Sequence, residues 1–495
     1  MLTRRGFLGG SLASIVACGR GPAIRTRLPS VTHGVQSGDP QRDRAIIWAR
    51  CDEPARMIVE WDTSSRFDHP HRSAGPVVTE ARGHAGIVEL AGLPAAQTIA
   101  YRVRFEREAA RGASPWVTGR FNTPRADRVR VAWTGDTCGQ GFGRSPEWGG
   151  LKGFAAIRAT RPDVFVNSGD LIYADNPILA EHKLADGRIW KNLTNERIAR
   201  VAESLEDFRA RFAYNFEDEH VRALAAEVPV IAQWDDHETH NNWFPGQQLD
   251  DARYRIERDA STLAAHALRA TFEWTPIPRG PVHRVIHHGP LLDVFVLDCR
   301  SFRSPNDANL ADTAVMLGAQ QTEWLTRELA TSTARWKIIA CDQPIALVIP
   351  DDERQEGFAN ADPGAPRGRE RELARLLTSM KTRGVRNVVW ITADVHYAAA
   401  HHFDPARARL AGFDPFWEFV AGPIHAGSFG PNPLDPTLGP EVRFQWAPQP
   451  DQQNAGPWDG LQSFGTIDVT RDALAVALWG IDGRERYRVD LPYAG

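Results

Sequence analysis

Four short apolar runs in this chain each stop at a knot of side chains that bind metals or protons. They are 131–138 (VAWTGDTC), 164–175 (VFVNSGDLIYAD), 228–240 (VPVIAQWDDHETH) and 388–397 (VVWITADVHY). β-Branched and aromatic runs of this length read as strands buried on both faces. Open α/β sheets build their sites just past the carboxyl ends of such strands. The pattern therefore restricts the chain to a layered α/β architecture with one site at the strand ends.

The rest of the chain agrees with that frame. Between 32 and 124 the runs 45–49, 57–61, 85–90, 99–105 and 116–122 read as strands of a small all-β sandwich, separated by Gly, Pro, Asp and Ser. From 128 onward strands alternate with helical patterns at 153–160, 203–212, 259–272, 320–330 and 369–382. Further buried strands are expected at 291–298 and 336–341, and an antiparallel edge at 465–469 and 473–479. Two Pro- and Gly-rich stretches, 350–367 and 422–459, read as long surface loops of the kind that form lids. A length of 495 residues suits two domains or one enlarged α/β domain, and a net charge of −4 gives no electrostatic reason to expect nucleic-acid binding. The 16 Trp residues read as packing.

The amino-terminal segment reads as targeting. Thr3-Arg4-Arg5-Gly6-Phe7-Leu8 is a twin-arginine pattern, and the apolar stretch 8–17 behind it is too short to span a bilayer. Ile15-Val16-Ala17-Cys18 has the form of a lipoprotein box, with plain cleavage nearby as the alternative to a lipid anchor on Cys18. The expected partner is the twin-arginine export machinery, and the expected location is the periplasm or the cell surface. That route carries folded proteins, which suits an enzyme that loads metal before export. Cys51, Cys138, Cys299 and Cys341 show no disulfide or zinc-knuckle spacing; Cys299 and Cys341 read as buried thiols.

Singly, each strand-end residue has a bland explanation, since Asp at such a place is commonly a cap or turn residue. Four clusters in the order DxC, GDxxY, DDHE and DxH are another matter. Asp136 and Cys138 are two apart and in extended geometry point to one side; Asp170 is placed to bridge two ions, with Tyr173 in reach as a phenolate. A thiolate and a phenolate together favour a trivalent ion, Fe(3+). Asp236 supplies a carboxylate to a second ion, and His237 beside it is a candidate acid for a leaving group, with Asp235 or Glu238 to orient it. Asp394 and His396 complete a two-metal phosphoesterase site.

The order DxC … GDxxY … WDDHE … ADVHY resembles the alkaline phosphatase D family of calcineurin-like, purple-acid-phosphatase-like metallophosphoesterases. Residues 33–40 (HGVQSGDP), 297–303 (LDCRSFR) and 317–321 (LGAQQ) match as well. The resemblance implies a four-layer α/β catalytic domain (126–495) behind a small fibronectin-III-like β domain (31–125), after a signal peptide and tether (1–30). It implies Asp136, Cys138, Asp170 and Tyr173 around iron, with Asp170 bridging. Asp236 and His237 stand for the Asn and His of a GNHE motif, Asp394 and His396 for a GHxH motif, and Asp342 or Gln343 is a further oxygen ligand. Carboxylate oxygens suit a second ion such as Ca(2+). Ala393 stands where relatives have Gly, and 420–432 departs from the family pattern.

The expected function is hydrolysis of small-molecule phosphate mono- or diesters outside the cytoplasm, by water activated between two metals. Arg209, Asn241, Arg300 or Arg303 would hold non-transferred phosphate oxygens, Arg209 foremost. One alternative is a phospholipase-D-like phosphodiesterase acting on lipid or polymer diesters. Another is an exported binding protein with no catalysis.

Overall fold

The computed structural model describes residues 27–108 and 112–494, so the twin-arginine pattern and Cys18 lie outside the described residues. Two large sheets face each other at the centre. One has nine strands, in the order Glu485–Pro492, Ala473–Gly480, Ser463–Thr470, Arg128–Thr134, Val164–Asn167, Val230–Ala232, Val31–Gly38, Arg44–Cys51, Ala85–Ala91. The other has seven: Arg284–His288, Leu292–Val296, Trp336–Ala340, Val388–Thr392, Phe416–Val420, Ala398–Phe403, Pro440–Trp446.

Strand alternation explains why both sheets are covered on both faces. Val131, Trp133, Val164, Val166 and Ile231 of the first sheet meet Val294, Val296, Ile338 and Ile391 of the second in one apolar core. The intervening residues face outward. Ala132 and Phe165 pack with Leu151, Phe154 and Leu224, and Ala232 with Phe208 and Leu263, under helices Lys152–Ala159, Leu205–Phe216, Glu219–Glu227 and Ala260–Trp274. Phe295, Ile339 and Trp390 pack with Leu325, Leu329, Leu373 and Leu377 of helices Gly318–Thr331 and Glu370–Thr382. The result is four layers, helices–sheet–sheet–helices, as the resemblance implies.

The amino-terminal region is all-β, and a second sheet of four strands, His71–Val78, Ala55–Asp62, Thr98–Glu106 and Val117–Asn122, closes its core. Its other half is shared. Val31–Gly38 pairs in parallel with Val230–Ala232 through Gly38 and Val230, so three amino-terminal strands extend the nine-stranded sheet. The approach is close enough that a Cβ on Gly38 would lie 2.5 Å from Pro276 and 2.8 Å from the Val230 carbonyl. At the other end, Ser463–Thr470 pairs antiparallel with Arg128–Thr134, and the strand Glu485–Pro492, absent from the sequence reading, is the true edge.

Candidate metal centre

Six parallel strands deliver the site. Arg128–Thr134, Val164–Asn167 and Val230–Ala232 lie side by side in one sheet; Leu292–Val296, Trp336–Ala340 and Val388–Thr392 do so in the other. Past their carboxyl ends the chain bends sharply. Asp136, Cys138, Asp170, Asp394 and His396 all take left-handed backbone (φ between 49° and 68°). Non-glycine residues rarely sit there, and such strain collects at functional sites.

The bends bring together three overlapping groups, each with ligand atoms within 4.8 Å of one another: Asp136, Asp170 and His396; Asp170, Asp236 and His237; Asp235, Asp236 and Asp394. Asp170 belongs to the first two and Asp236 to the last two. Asp136 is fully buried, and neither of its carboxylate oxygens has a hydrogen-bond partner. Gly422 leaves room for it, since a Cβ there would lie 2.2 Å from Asp136 Oδ2. The Tyr173 hydroxyl lies 2.8 Å from His396 Nε2. His396 Nδ1 faces the Gly427 carbonyl, so the proton sits on Nδ1 and the Nε2 lone pair points into the cluster. Burial holds this imidazole down to about 4, hence neutral, the form that binds metal.

Electrostatics ask for cations here. Burial, then the neighbouring carboxylates, push Asp136 and Asp170 far above the carboxylate range; burial, then Asp235, does the same to Asp394. Burial also takes Asp235 up to about 6 and Glu238 up to about 8. Buried like charges of this density are stable only when paired or bound to metal. Asp236 is the exception: burial raises it, but His237, Arg300 and the Asn242 NH together hold it low. The donor set therefore fits metal ions: it is oxygen-rich, with the imidazoles of His396 and His237 in two of the groups and the Tyr173 phenol beside His396.

Several expectations need correction. Cys138 joins none of the ligand groups: it belongs to the buried apolar cluster that holds Leu151, Phe154, Ile178 and Tyr214, and its charged neighbours are Asp218, Arg144 and Arg211. The extended i, i+2 geometry that would have aligned it with Asp136 is broken by the left-handed residues. The same bend splits Asp394 from His396, which serve different groups. Arg209 is remote from the site, its guanidinium forked onto the buried Glu273 at 2.6 and 2.8 Å. Asp235 does not orient His237; it takes Arg300 Nε at 2.7 Å, while Glu238 ties down the backbone NH groups of Asp235 and Leu171.

The residue that orients His237 is Asp175. Its Oδ1 lies 2.8 Å from His237 Nδ1, and its Oδ2 accepts the Asn241 NH at 3.0 Å. Burial opposes charge on His237, yet Asp175 and Asp236 win and raise it to about 10. Tyr173 stacks on the imidazole with centroids 4.2 Å apart. Asp175 closes the same stretch as Asp170 and Tyr173, so the signal was present in the sequence. Glu356 was not foreseeable: it comes from the 350–367 loop to clamp Arg300, together with Arg303 and Gln343. Arg300 itself is fully buried and reaches Asp394 at 3.3 Å. The stretch expected as one surface loop, 422–459, is divided: 422–428 is buried, the Phe429 NH bonds the His396 carbonyl, and Pro440–Trp446 is the end strand of the seven-stranded sheet.

Comparison with known proteins accords with this geometry. The chain is 26% identical over 440 residues to alkaline phosphatase D of Bacillus subtilis (strain 168), covering 81% of this chain and 70% of the relative. A solved structure of PhoD superposes with a TM-score of 0.68 at 19% identity, over 93% of this chain and 88% of the other. Purple acid phosphatase from yellow lupin (Lupinus luteus) seeds gives 0.62 at 12% identity, over 94% and 74%. The family model described as PhoD-like phosphatase matches residues 131–478, and that of its N-terminal domain residues 17–125. The chain belongs to the PhoD-like phosphatases and is a phosphoric ester hydrolase.

Proposed function

We propose that this protein is an exported, metal-dependent hydrolase of organic phosphate mono- or diesters that uses iron and calcium. The observation that carries the reading is the run of three ligand groups joined through Asp170 and Asp236, beside an imidazole held by Asp175. Asp136, Asp170, Tyr173 and His396 would hold Fe(3+), for which a phenolate is a favourable ligand. Asp235, Asp236 and Asp394, all hard oxygen donors, would hold Ca(2+). When bound, the ions would polarise the phosphoryl group and lower the pKa of water. His237 keeps Nδ1 on Asp175 and turns Nε2 to the leaving oxygen, to which it gives its proton. Arg300 draws Asp235 and Asp394 together and offsets part of their charge. The twin-arginine pattern supports export, and the lipoprotein box supports an anchor at Cys18.

Metal analysis of the full-length protein, purified through the export route without chelator, tests this together with its visible spectrum. Iron with a tyrosinate charge-transfer band, plus calcium, is the expected result. Zinc or manganese alone with no band would overturn the metal assignment. Turnover of p-nitrophenyl phosphate against its bis ester then fixes the preference between mono- and diesters. Faster cleavage of lipid diesters than of either would favour the phospholipase-D-like alternative.

A further inference from the structure

Two neighbouring strands of the second sheet end side by side behind the ligand groups. Leu292–Val296 runs on to Cys299 and Trp336–Ala340 to Cys341, with the Leu297 NH bonded to the Ala340 carbonyl at 2.9 Å. Cys299 Sγ and Cys341 Sγ are 3.4 Å apart, and the Asp342 carboxylate has an oxygen within 4.8 Å of both sulfurs. All three residues are wholly inaccessible to solvent. Neither carboxylate oxygen of Asp342 has a hydrogen-bond partner. Its nearest cation, Arg300 Nε at 3.6 Å, is already bonded to Asp235. Buried carboxylates are not left bare in folded proteins without something to bind them.

We propose that Cys299, Cys341 and Asp342 form a second metal site, distinct from the phosphoesterase centre, for a thiophilic divalent cation, zinc. The three residues share no member with the three groups at the strand ends, so Asp342, which the resemblance implied as a further oxygen ligand there, groups instead with the two thiols. Two thiolates and one carboxylate are a zinc donor set. Zinc–sulfur bonds of about 2.3 Å place tetrahedral thiolates roughly 3.8 Å apart, whereas a disulfide requires about 2.05 Å. The observed 3.4 Å is nearer the first. Binding releases the thiol protons and leaves the fourth position to water. Such a site staples the two strand ends that carry Arg300 and Gln343, and so fixes the guanidinium that spans Asp235 and Asp394.

The test is metal analysis and zinc-edge X-ray absorption of full-length protein from zinc-supplemented culture. One zinc per chain with two sulfur neighbours is expected, retained in Asp136→Asn and lost in Cys299→Ser/Cys341→Ser. The wild-type spectrum stands by itself should the double variant fail to fold. Zinc with only oxygen or nitrogen neighbours, zinc with a single sulfur, no zinc at all, or a Cys299–Cys341 disulfide by mass would each overturn the proposal. None of these readouts depends on ester hydrolysis, so failure here leaves the phosphoesterase reading intact.

Discussion

Asp170 lies where two ligand groups overlap, and its removal tests the centre most directly. Asp170→Asn is expected to lose ions from both groups and to lower kcat/KM by about a thousandfold or more; near-normal turnover would refute a bridging role. Cys138 gives the opposite expectation. Because its thiol faces an apolar cluster, Cys138→Ser should keep metal content and spectrum unchanged, and loss of iron would show the thiol swings inward. His237→Gln should retain metals yet lose about 10²–10⁴-fold in kcat, more for alkyl phosphates than for p-nitrophenyl phosphate, whose leaving group needs no proton. Asp175→Asn should follow the same leaving-group trend more weakly. At this scale the residue types were legible in the sequence, because Asp, Tyr and His clusters at strand ends are rare by chance. Side-chain direction was not legible. It depends on left-handed φ values at Asp136, Cys138, Asp394 and His396, which no alternation rule carries.

Among the elements, the six parallel strands at the site and five of the helices announced themselves by period, while the helix Glu219–Glu227 and the strands His71–Val78, Arg284–His288, Ala398–Phe403 and Phe416–Val420 did not. The helix and His71–Val78 each mix charged with small residues, so neither carries a clear stripe. The stretch 350–367 is legible as a loop, but 422–459 is not one loop, since it carries the strand Pro440–Trp446 of the seven-stranded sheet; the burial of 356–360 and 422–428 was invisible because it rests on contacts distant in sequence. Glu370 at the start of helix Glu370–Thr382 is one such contact. It accepts Asn360 Nδ2 at 2.8 Å and faces Asp435 from the 422–459 stretch, and burial followed by that neighbour raises it from 4.5 to about 8. The native chain thus holds a proton there that the unfolded chain has released, so stability falls as pH climbs from about 4.5 to about 8 and levels off above. Glu370→Gln should flatten that slope and melt above wild type at pH 8 and higher. Parallel wild-type and variant curves of melting temperature against pH would refute the proton held on Glu370.

For the molecule as a whole, the amino-terminal sandwich and the catalytic layers share one sheet rather than meeting across a linker. The segment 33–40, matched by the resemblance, makes this joint, although nothing in its pattern names the partner strand. Gly38 admits the Val230 strand, and Asp39 takes Arg284 of the second sheet in a fork of 2.7 and 2.8 Å. Arg284 also donates to the Ala232 carbonyl at 3.1 Å, so one guanidinium joins the amino-terminal strands, the first sheet and the second. Both side chains are largely buried, at 3% and 11% exposure, so removing one leaves the other charge stranded. Asp39→Asn keeps a residue that tolerates the left-handed backbone at this position (φ 43°) and removes only the charge. It should cost about 3 kcal/mol in urea unfolding. Adding Arg284→Met should recover most of that loss, because the stranded charge goes with it. If the single variant instead unfolds within about 0.5 kcal/mol of wild type, in the range of an ordinary surface substitution, the sandwich is held by its sheet pairing alone. Recovery in the double variant, with metal content unchanged throughout, would mean that one buried ion pair couples the amino-terminal strands to the sheets that carry the metal centre.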